Sequence, residues 1–292
     1  TLARWFPRLD GRAALDHLVE EARRFIGGEA IEEILARDPW MVGFSSTFQS
    51  NCCSLALVKE IKRRRPDILT VIGGANCEGD QGEELIACYP EIDFVGRGEC
   101  DFTLPELVLA LQRGVPASDK VGFLAQGHGL NCPSVLLDAR ELDSLPYPDF
   151  FDYFAQLENF RFREQIVPGL AMETSRGCWW GAKQHCTFCA FNREGMAFRA
   201  KSPDRVAAEM EELVRRHGVT RMEITDNILD MGYFKSLLPR LADAPIAEYF
   251  WETKSNLSRD QMRLMKEAGI GWIQPGLESL SDETLRLMKK GT

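Results

Sequence analysis

A chain of 292 residues with 45% hydrophobic and 27% charged side chains can bury sizeable cores, which excludes global disorder. Its net charge of −9 leaves no basic footprint for nucleic acid, and no apolar stretch approaches the ~18 to 20 residues that span a bilayer. Without a signal-peptide pattern the expectation is a cytoplasmic protein, where nine cysteines point to metal binding or buried thiols and not to disulfides.

Apolar spacing over 13–37 (Leu15, Leu18, Val19, Ala22, Phe25, then Ile31, Ile34, Leu35) predicts two helices broken at Gly27-Gly28. Short apolar runs then alternate with helical patterns. Strands are predicted at 41–45, 68–72, 92–95 and 121–125, and helices around 55–65, 83–88 and 104–111. The basic run Lys62 to Arg65 reads as the solvated end of one of these helices. Such alternation predicts an α/β domain over 1–137 with a parallel, doubly wound, Rossmann-like sheet. In these sheets ligands sit beyond the carboxyl ends of the strands. There the sequence places Ser45-Ser46-Thr47, Gly73-Gly74-Ala75-Asn76 and Gly96-Arg97-Gly98-Glu99. A glycine after a strand can serve a tight turn alone, but three small, polar clusters along one edge describe a crevice.

Residues 138–168, with Pro146, Pro148 and several aromatics, carry no steady period and read as a linker. A second alternating series occupies 169–292, with strands at 170–174, 221–225, 248–253 and 271–274. Ser202-Pro203 opens its first helix, Ser258 and Gln261 form a capping box for the second, and Gly269 ends that one. Each strand ends in polar residues: Ser175-Arg176, Asp226-Asn227, Glu252 with Lys254, and Glu278-Ser279. Parallel barrels collect their active sites at that face. Four strand-helix units are too few to close a barrel. With Thr1 in first place and a stop at Met288-Lys289-Lys290-Gly291-Thr292, the expectation is a segment of a longer polypeptide, its first domain missing its start and its barrel missing its end.

The strongest signal is Cys178-Trp-Trp-Gly-Ala-Lys-Gln-His-Cys186-Thr-Phe-Cys189, a three-cysteine loop directly after a strand. Three thiolates do not complete a tetrahedral structural zinc site, whereas they suit a [4Fe-4S] cluster that leaves one iron open. His185 would rescue a zinc reading, but it neighbours Cys186 in a short loop where both side chains seldom reach one ion. The other cysteines, Cys52, Cys53, Cys77, Cys88, Cys100 and Cys132, lack ligand spacing and are expected in the core.

A three-cysteine loop after the first barrel strand, with Phe188 before the last cysteine, resembles the radical SAM superfamily. The usual spacing there is three residues between the first two cysteines; here it is seven. That wider spacing, with Arg176-Gly-Cys-Trp-Trp-Gly, Phe198-Arg-Ala-Lys-Ser, Thr225-Asp-Asn-Ile-Leu, Glu252-Thr-Lys-Ser-Asn-Leu and Pro275-Gly-Leu-Glu-Ser, resembles radical SAM proteins that mature ribosomally made peptides, several of them peptide C-methyltransferases. Val71-Ile-Gly-Gly, Ile92-Asp-Phe-Val-Gly-Arg-Gly-Glu and Leu145-Pro-Tyr-Pro-Asp are similar to the cobalamin-binding half and linker of such proteins. The Asp-x-His-x-x-Gly signature that supplies a histidine to cobalt elsewhere is absent, so a histidine-free lower face is expected. Gly98-Glu99-Cys100-Asp101 stands where relatives often carry Gly-Glu-Gly-Glu.

The resemblance implies a cobalamin-binding domain followed by a partial (β/α)6 radical SAM barrel. Cys178, Cys186 and Cys189 would hold the cluster. Ser45, Ser46, Thr47, Gly73, Gly74, Ala75, Asn76, Gly98 and Glu99 would contact cobalamin. Phe188 would line the adenine side of S-adenosylmethionine (SAM), and Asp226, Glu252, Lys254, Glu278 and Ser279 its methionine and ribose; Arg199 and Lys201 would steady the cluster's charge or the SAM carboxylate. It also implies a 5′-deoxyadenosyl radical, methylcobalamin as methyl donor to an unactivated carbon of a peptide, and an external electron donor of flavodoxin or ferredoxin type. Trp179-Trp180 reads equally as a peptide-docking surface or as a clamp over the cluster. Two alternatives stand beside methylation: another radical SAM outcome such as epimerisation or ring formation, and a non-catalytic cobalamin or iron–sulfur sensor.

Overall fold

The structure, a computed structural model, describes residues 11–115, 122–127, 132–191 and 196–292. The chain divides into two compact units, Thr1–Leu136 and Leu137–Thr292.

In the first unit, α1 (Gly11–Arg24) and α2 (Ile31–Ala36) are joined without the expected break. The glycines sit in a wider helical turn, Phe25–Ala30, which absorbs an extra residue and keeps the chain helical. The strands β1 (Met41–Ser45), β2 (Leu69–Gly73), β3 (Phe94–Gly96) and β4 (Phe123–Ala125) alternate with α3 (Ser50–Arg64), α4 (Gly79–Cys88) and α5 (Thr103–Gln112). The sheet runs in the order β1-β2-β3-β4. β1, β2 and β3 are parallel, while the three-residue edge strand β4 is antiparallel to β3. Hydrophobic periodicity gives a strand its faces and not its direction, so this reversal left no mark in the sequence. Val121, where that strand was expected to begin, lies outside the described residues.

Both faces of the sheet are covered. Leu55 and Val58 of α3 and Leu85 and Ile86 of α4 pack on Ile72 and Val95; Leu107 of α5 packs on Val71 and Phe94 from the other side. Neighbouring residues of one strand therefore feed opposite cores, which is why these strands read as continuous apolar runs. The basic run at the end of α3 is tied to carboxylates: Lys62 to Asp93 at 2.7 Å, and Arg63 and Arg64 to Glu60. Cys77 is buried, as expected, and burial pushes its thiol up to about 12. Cys52, Cys53 and Cys88 are exposed, against expectation, because they fall on the outward faces of α3 and α4.

The second unit begins with the segment expected as a linker. Residues 138–168 contain α6 (Ala139–Ser144), opened by an Asp138–Glu141 capping box, and α7 (Phe151–Glu158). Leu137, Leu142 and Leu145 form a small core of their own, and Phe150 and Phe154 pack on the main one. Arg205 donates to the carbonyls of Asp143 and Leu145, both at 2.6 Å. Prolines hid the helical period, while the aromatics that broke it anchor the segment.

The partial barrel follows: β5 (Leu170–Met172), β6 (Ser175–Arg176), α8 (Trp179–Lys183), β7 (Arg199–Ala200), α9 (Pro203–His217), β8 (Arg221–Ile224), α10 (Leu237–Asp243), β9 (Glu248–Lys254), α11 (Arg259–Glu267), β10 (Ile270–Gly276) and α12 (Asp282–Leu287). β5, β8, β9 and β10 form a parallel sheet in that order, and β6 and β7 make a separate antiparallel hairpin. Met172, Met222, Ile224, Tyr249 and Trp251 point under the helices, against Val206, Met210, Leu213, Leu237 and Leu241. Ser202 caps α9 with Pro203 behind it, and Ser258 and Gln261 form the capping box of α11. Among the described residues no helix is long and apolar enough to cross a membrane.

Trp251 is fully buried at the centre of this core. Trp251→Ala is expected to cost about 3–5 kcal/mol through the lost transfer energy and the cavity left behind, read as a lowered urea midpoint of the second unit.

Candidate functional site

The cysteine loop leaves the sheet through a turn that one carboxylate organises. Asp226, two residues past β8, is 2% exposed and accepts from the backbone N–H of Thr174 at 2.7 Å and of Ser175 at 2.9 Å. It also accepts from the Thr174 hydroxyl and, at 3.4 Å, from the Trp251 indole. Burial pushes its carboxyl up, against the pull of the Thr174 and Ser175 hydrogen bonds. Expected as a SAM contact, Asp226 instead spends its acceptors inside the protein, because three N–H donors converge on it where no water reaches. Gly177 then crosses close to β7 with φ +83°, a conformation and an approach that a side chain would obstruct against the Ala197 carbonyl.

Cys178 caps α8, its Sγ accepting from the Gly181 N–H at 3.3 Å. Cys189 Sγ accepts from the Phe191 N–H at 3.4 Å. Cys186 lies between them in sequence and is buried. Burial pushes its thiol up; Lys290 acts against that, and the charges of Cys189 and Cys178 act with it, so the three thiols share one electrostatic environment. Among the described residues no three His, Cys, Asp or Glu side chains converge tightly enough for a single metal ion. His185 is turned to the backbone, with its ring nitrogens 2.9 Å from the Cys186 carbonyl and 3.3 Å from that of Phe191. It braces the loop.

Segment 287–291 covers the loop. The Thr187 N–H donates to the Met288 carbonyl at 3.0 Å, and the Trp180 indole to that of Lys289 at 3.1 Å. Lys254 Nζ donates to the carbonyls of Lys290 and Gly291 at 3.1 and 2.9 Å and stands 3.6 Å over the Trp180 ring. Its pKa is lowered, first by burial and then by Lys290, with Cys186 and Cys178 pulling the other way. Lys290 pairs with Glu278 at 2.9 Å and lies 5.6 Å from the Phe188 ring. Glu252 sits two residues before Lys254 on β9, on the same side of the strand, and burial raises its pKa against the pull of Lys290.

The structure thus gathers Phe188, Lys254 and Glu278 around the cysteine loop, with Glu252 beside them. Arg199 turns elsewhere, donating to the Leu137 carbonyl at 2.9 Å. Lys201, expected to steady the cluster's charge or the SAM carboxylate, is buried and paired with Glu209 at 3.0 Å. Ser279 engages its own turn through Ser281 N–H. Lys290 was missed in the sequence, where nothing local separates it from the neighbouring Lys289. A cavity of about 320 Å³, lined by Arg221, Glu223, Glu248 and Trp272 among others, lies at the opposite, amino-terminal ends of the strands.

In the first unit, Ser46 is fully buried, and its N–H donates to the Gly73 carbonyl at 2.6 Å. Asn76 donates to Ser46 Oγ at 3.0 Å, and Ser46 to Asn51 at 2.9 Å. Gly74 takes φ +102°, and a Cβ there would sit 2.6 Å from the Ser46 carbonyl oxygen. Ala75 and Asn76 belong to a single tight turn, Ala75–Cys77. Thr47 N–H donates to Ser50 Oγ at 2.8 Å, while Ser45 stays exposed. Gly98 N–H donates to Glu78 at 2.6 Å and Glu99 N–H to the Val135 carbonyl at 2.7 Å. The polar groups expected at cobalamin mostly brace the loops that would surround it.

Residues 172–292 match the radical SAM superfamily and residues 15–108 the B12 binding domain. The chain carries a B12-binding domain followed by a radical SAM domain. It is 25% identical over 262 residues to an uncharacterized methyltransferase of Pyrococcus horikoshii, an alignment covering 87% of this chain and 55% of that one. It is 23% identical over 307 residues to the anaerobic magnesium-protoporphyrin IX monomethyl ester cyclase of Synechocystis, covering 98% and 57%. The chain thus spans about half the length of these curated relatives. In fold it is similar to the cobalamin-dependent SAM radical enzyme OxsB, solved with aqua-cobalamin and SAM, with a TM-score of 0.70 at 17% identity over 90% of this chain and 39% of that one.

The two domains imply a [4Fe-4S] cluster, SAM and cobalamin, and the thiols fit the first of these. Two accept backbone N–H bonds, as thiolates bound to iron do, and the third is buried beside them with Lys290 near.

Asp226→Ala is expected to strand the Thr174, Ser175 and Trp251 donors and cost about 3 kcal/mol or more. Iron bound per chain after anaerobic reconstitution should fall although no cysteine is touched, and Asp226→Asn, which keeps an oxygen for the two backbone donors, should recover most of it.

Proposed function

We propose that the protein is a cobalamin-dependent radical SAM methyltransferase of unactivated carbon, acting on a ribosomally made peptide with electrons from a flavodoxin or ferredoxin. The observation that carries this reading is the conjunction, in one chain, of a three-thiol loop at the carboxyl face of a partial barrel with a B12-binding domain. Similarity to the Pyrococcus methyltransferase supports group transfer, and the motif resemblance supports a peptide. When bound, the cluster supplies the electron that breaks the sulfur–carbon bond of SAM, and cobalamin carries the methyl group.

The chain's own contribution is placement. Cys178, Cys186 and Cys189 would hold the cluster. Phe188 offers a half-exposed ring next to the last cysteine, suited to a flat base. Lys254 and Lys290 supply positive charge where a carboxylate and a thiolate-bound cluster would meet, and Trp179 and Trp180 wall that charge from water. Orientation of a reactive species against one C–H bond is what such a walled pocket provides. A second reading, ring closure without methyl transfer, has one observation in its favour: the similarity to the Synechocystis cyclase.

Full-length protein reconstituted anaerobically with iron, sulfide and methylcobalamin, then given SAM and a low-potential reductant, should release 5′-deoxyadenosine, and Cys186→Ala should abolish it. A product heavier by one CH2 per event supports methylation; a product with hydrogen lost and no carbon gained supports ring closure. Release of 5′-deoxyadenosine undiminished in Cys186→Ala would overturn the cluster assignment.

A further inference from the structure

The loop after β1 presents a residue that none of the assigned roles uses. Phe48 is 83% exposed, and its backbone is held at φ +48°. A phenyl ring in water and a left-handed backbone at a non-glycine residue are both unfavourable, and such a residue persists where its surroundings over-determine it. Here they do. Asn76 Nδ2 donates to the Phe48 carbonyl at 3.1 Å as well as to Ser46 Oγ, and Ser46 is locked to Asn51. Thr47 and Ser50 close the same turn, the Ser50 hydroxyl donating to the Thr47 carbonyl at 2.8 Å. The side chains of Ser46, Ser50, Asn51 and Asn76 are taken up in holding the loop, and the Phe48 ring stands out from it into solvent, where a ligand can meet it. Next to it, Gly73 has open space where a Cβ would stand.

We propose that Phe48 is the platform for the corrin of cobalamin: its ring lies against one face of the macrocycle and, having no donor atom, leaves cobalt without a protein ligand there. The occupant follows from three facts: the match to the B12 binding domain includes this loop, the loop stands at the carboxyl ends of parallel strands, and a broad flat macrocycle is the complement of an exposed, rigid ring. The inference rests on cobalamin binding by the first unit and not on the reaction.

The test uses the full chain without cofactor, titrated with aquacobalamin by visible absorbance. Phe48→Ala should weaken binding about tenfold or more, while Phe48→Trp should keep it within about threefold. Circular dichroism controls for folding, which an 83% exposed side chain does not support. A second arm uses cobinamide, which lacks the cofactor's own base, reduced to Co(II). Phe48→His should add nitrogen splitting to the electron paramagnetic resonance lines, because imidazole then stands at the metal. Wild-type affinity in a folded Phe48→Ala, nitrogen splitting already present in the wild type, or none in Phe48→His would each overturn the platform while leaving cobalamin binding intact. A wild-type chain that binds no cobalamin would overturn the cofactor assignment and the platform together.

Discussion

A buried carboxylate with no water to turn to determines where the second unit can put its cysteines. Asp226 gathers Thr174, Ser175 and Trp251, so that the end of β5, the start of β6 and the middle of β9 keep one relation to the end of β8. In a medium that solvates charge poorly, losing any donor is costly, and the arrangement therefore resists distortion. The Tyr233 hydroxyl adds to it from beneath, within reach of the carbonyls of Thr174 and Lys201. Cys178 comes three residues after Ser175, where this clamp ends. The groups that hold the site in place are thus not the ones that would touch a substrate.

The two units stiffen their ligand-facing loops by different chemistry. In the first, neutral hydroxyls and amides on Ser46, Asn51 and Asn76 cross-link neighbouring turns, which needs no compensation for buried charge. The second relies on acidic and basic side chains: Asp226 held by neutral donors, the Glu209 carboxylate shared by Lys201 and Arg205, and Lys254 over the Trp180 ring. A buried pair such as Lys201 and Glu209 does little for net stability but makes alternative packings expensive, since a rearrangement strands a charge.

Much of this was legible in the sequence where the signal was local. Strands β1 and β8, the Ser202 and Ser258 caps and the cysteine loop follow from residues within one turn or one strand of each other. Pairing across the sequence was not legible. The reversal of β4 depends on which edge accepts it, and the helices in 138–168 depend on anchorage by Arg205 and the main core. Resemblance, together with position after a strand or the cysteine loop, put Asp226, Arg199 and Lys201 on the ligand side; a residue at such a place can face inward or outward, and no periodicity reports which. Lys290 became visible only through contacts with Glu278 and the Phe188 ring.

The cover over the cysteine loop has a consequence for the order of events as the chain leaves the ribosome. Thr187 and Trp180 bind carbonyls that lie 100 to 109 residues downstream. The loop therefore stays open through synthesis of most of the barrel, and closing so long a span is slow and entropically unfavourable until the strands between have paired. The thiols are thus made well before the segment that covers them, and anything that reaches them early meets an open loop.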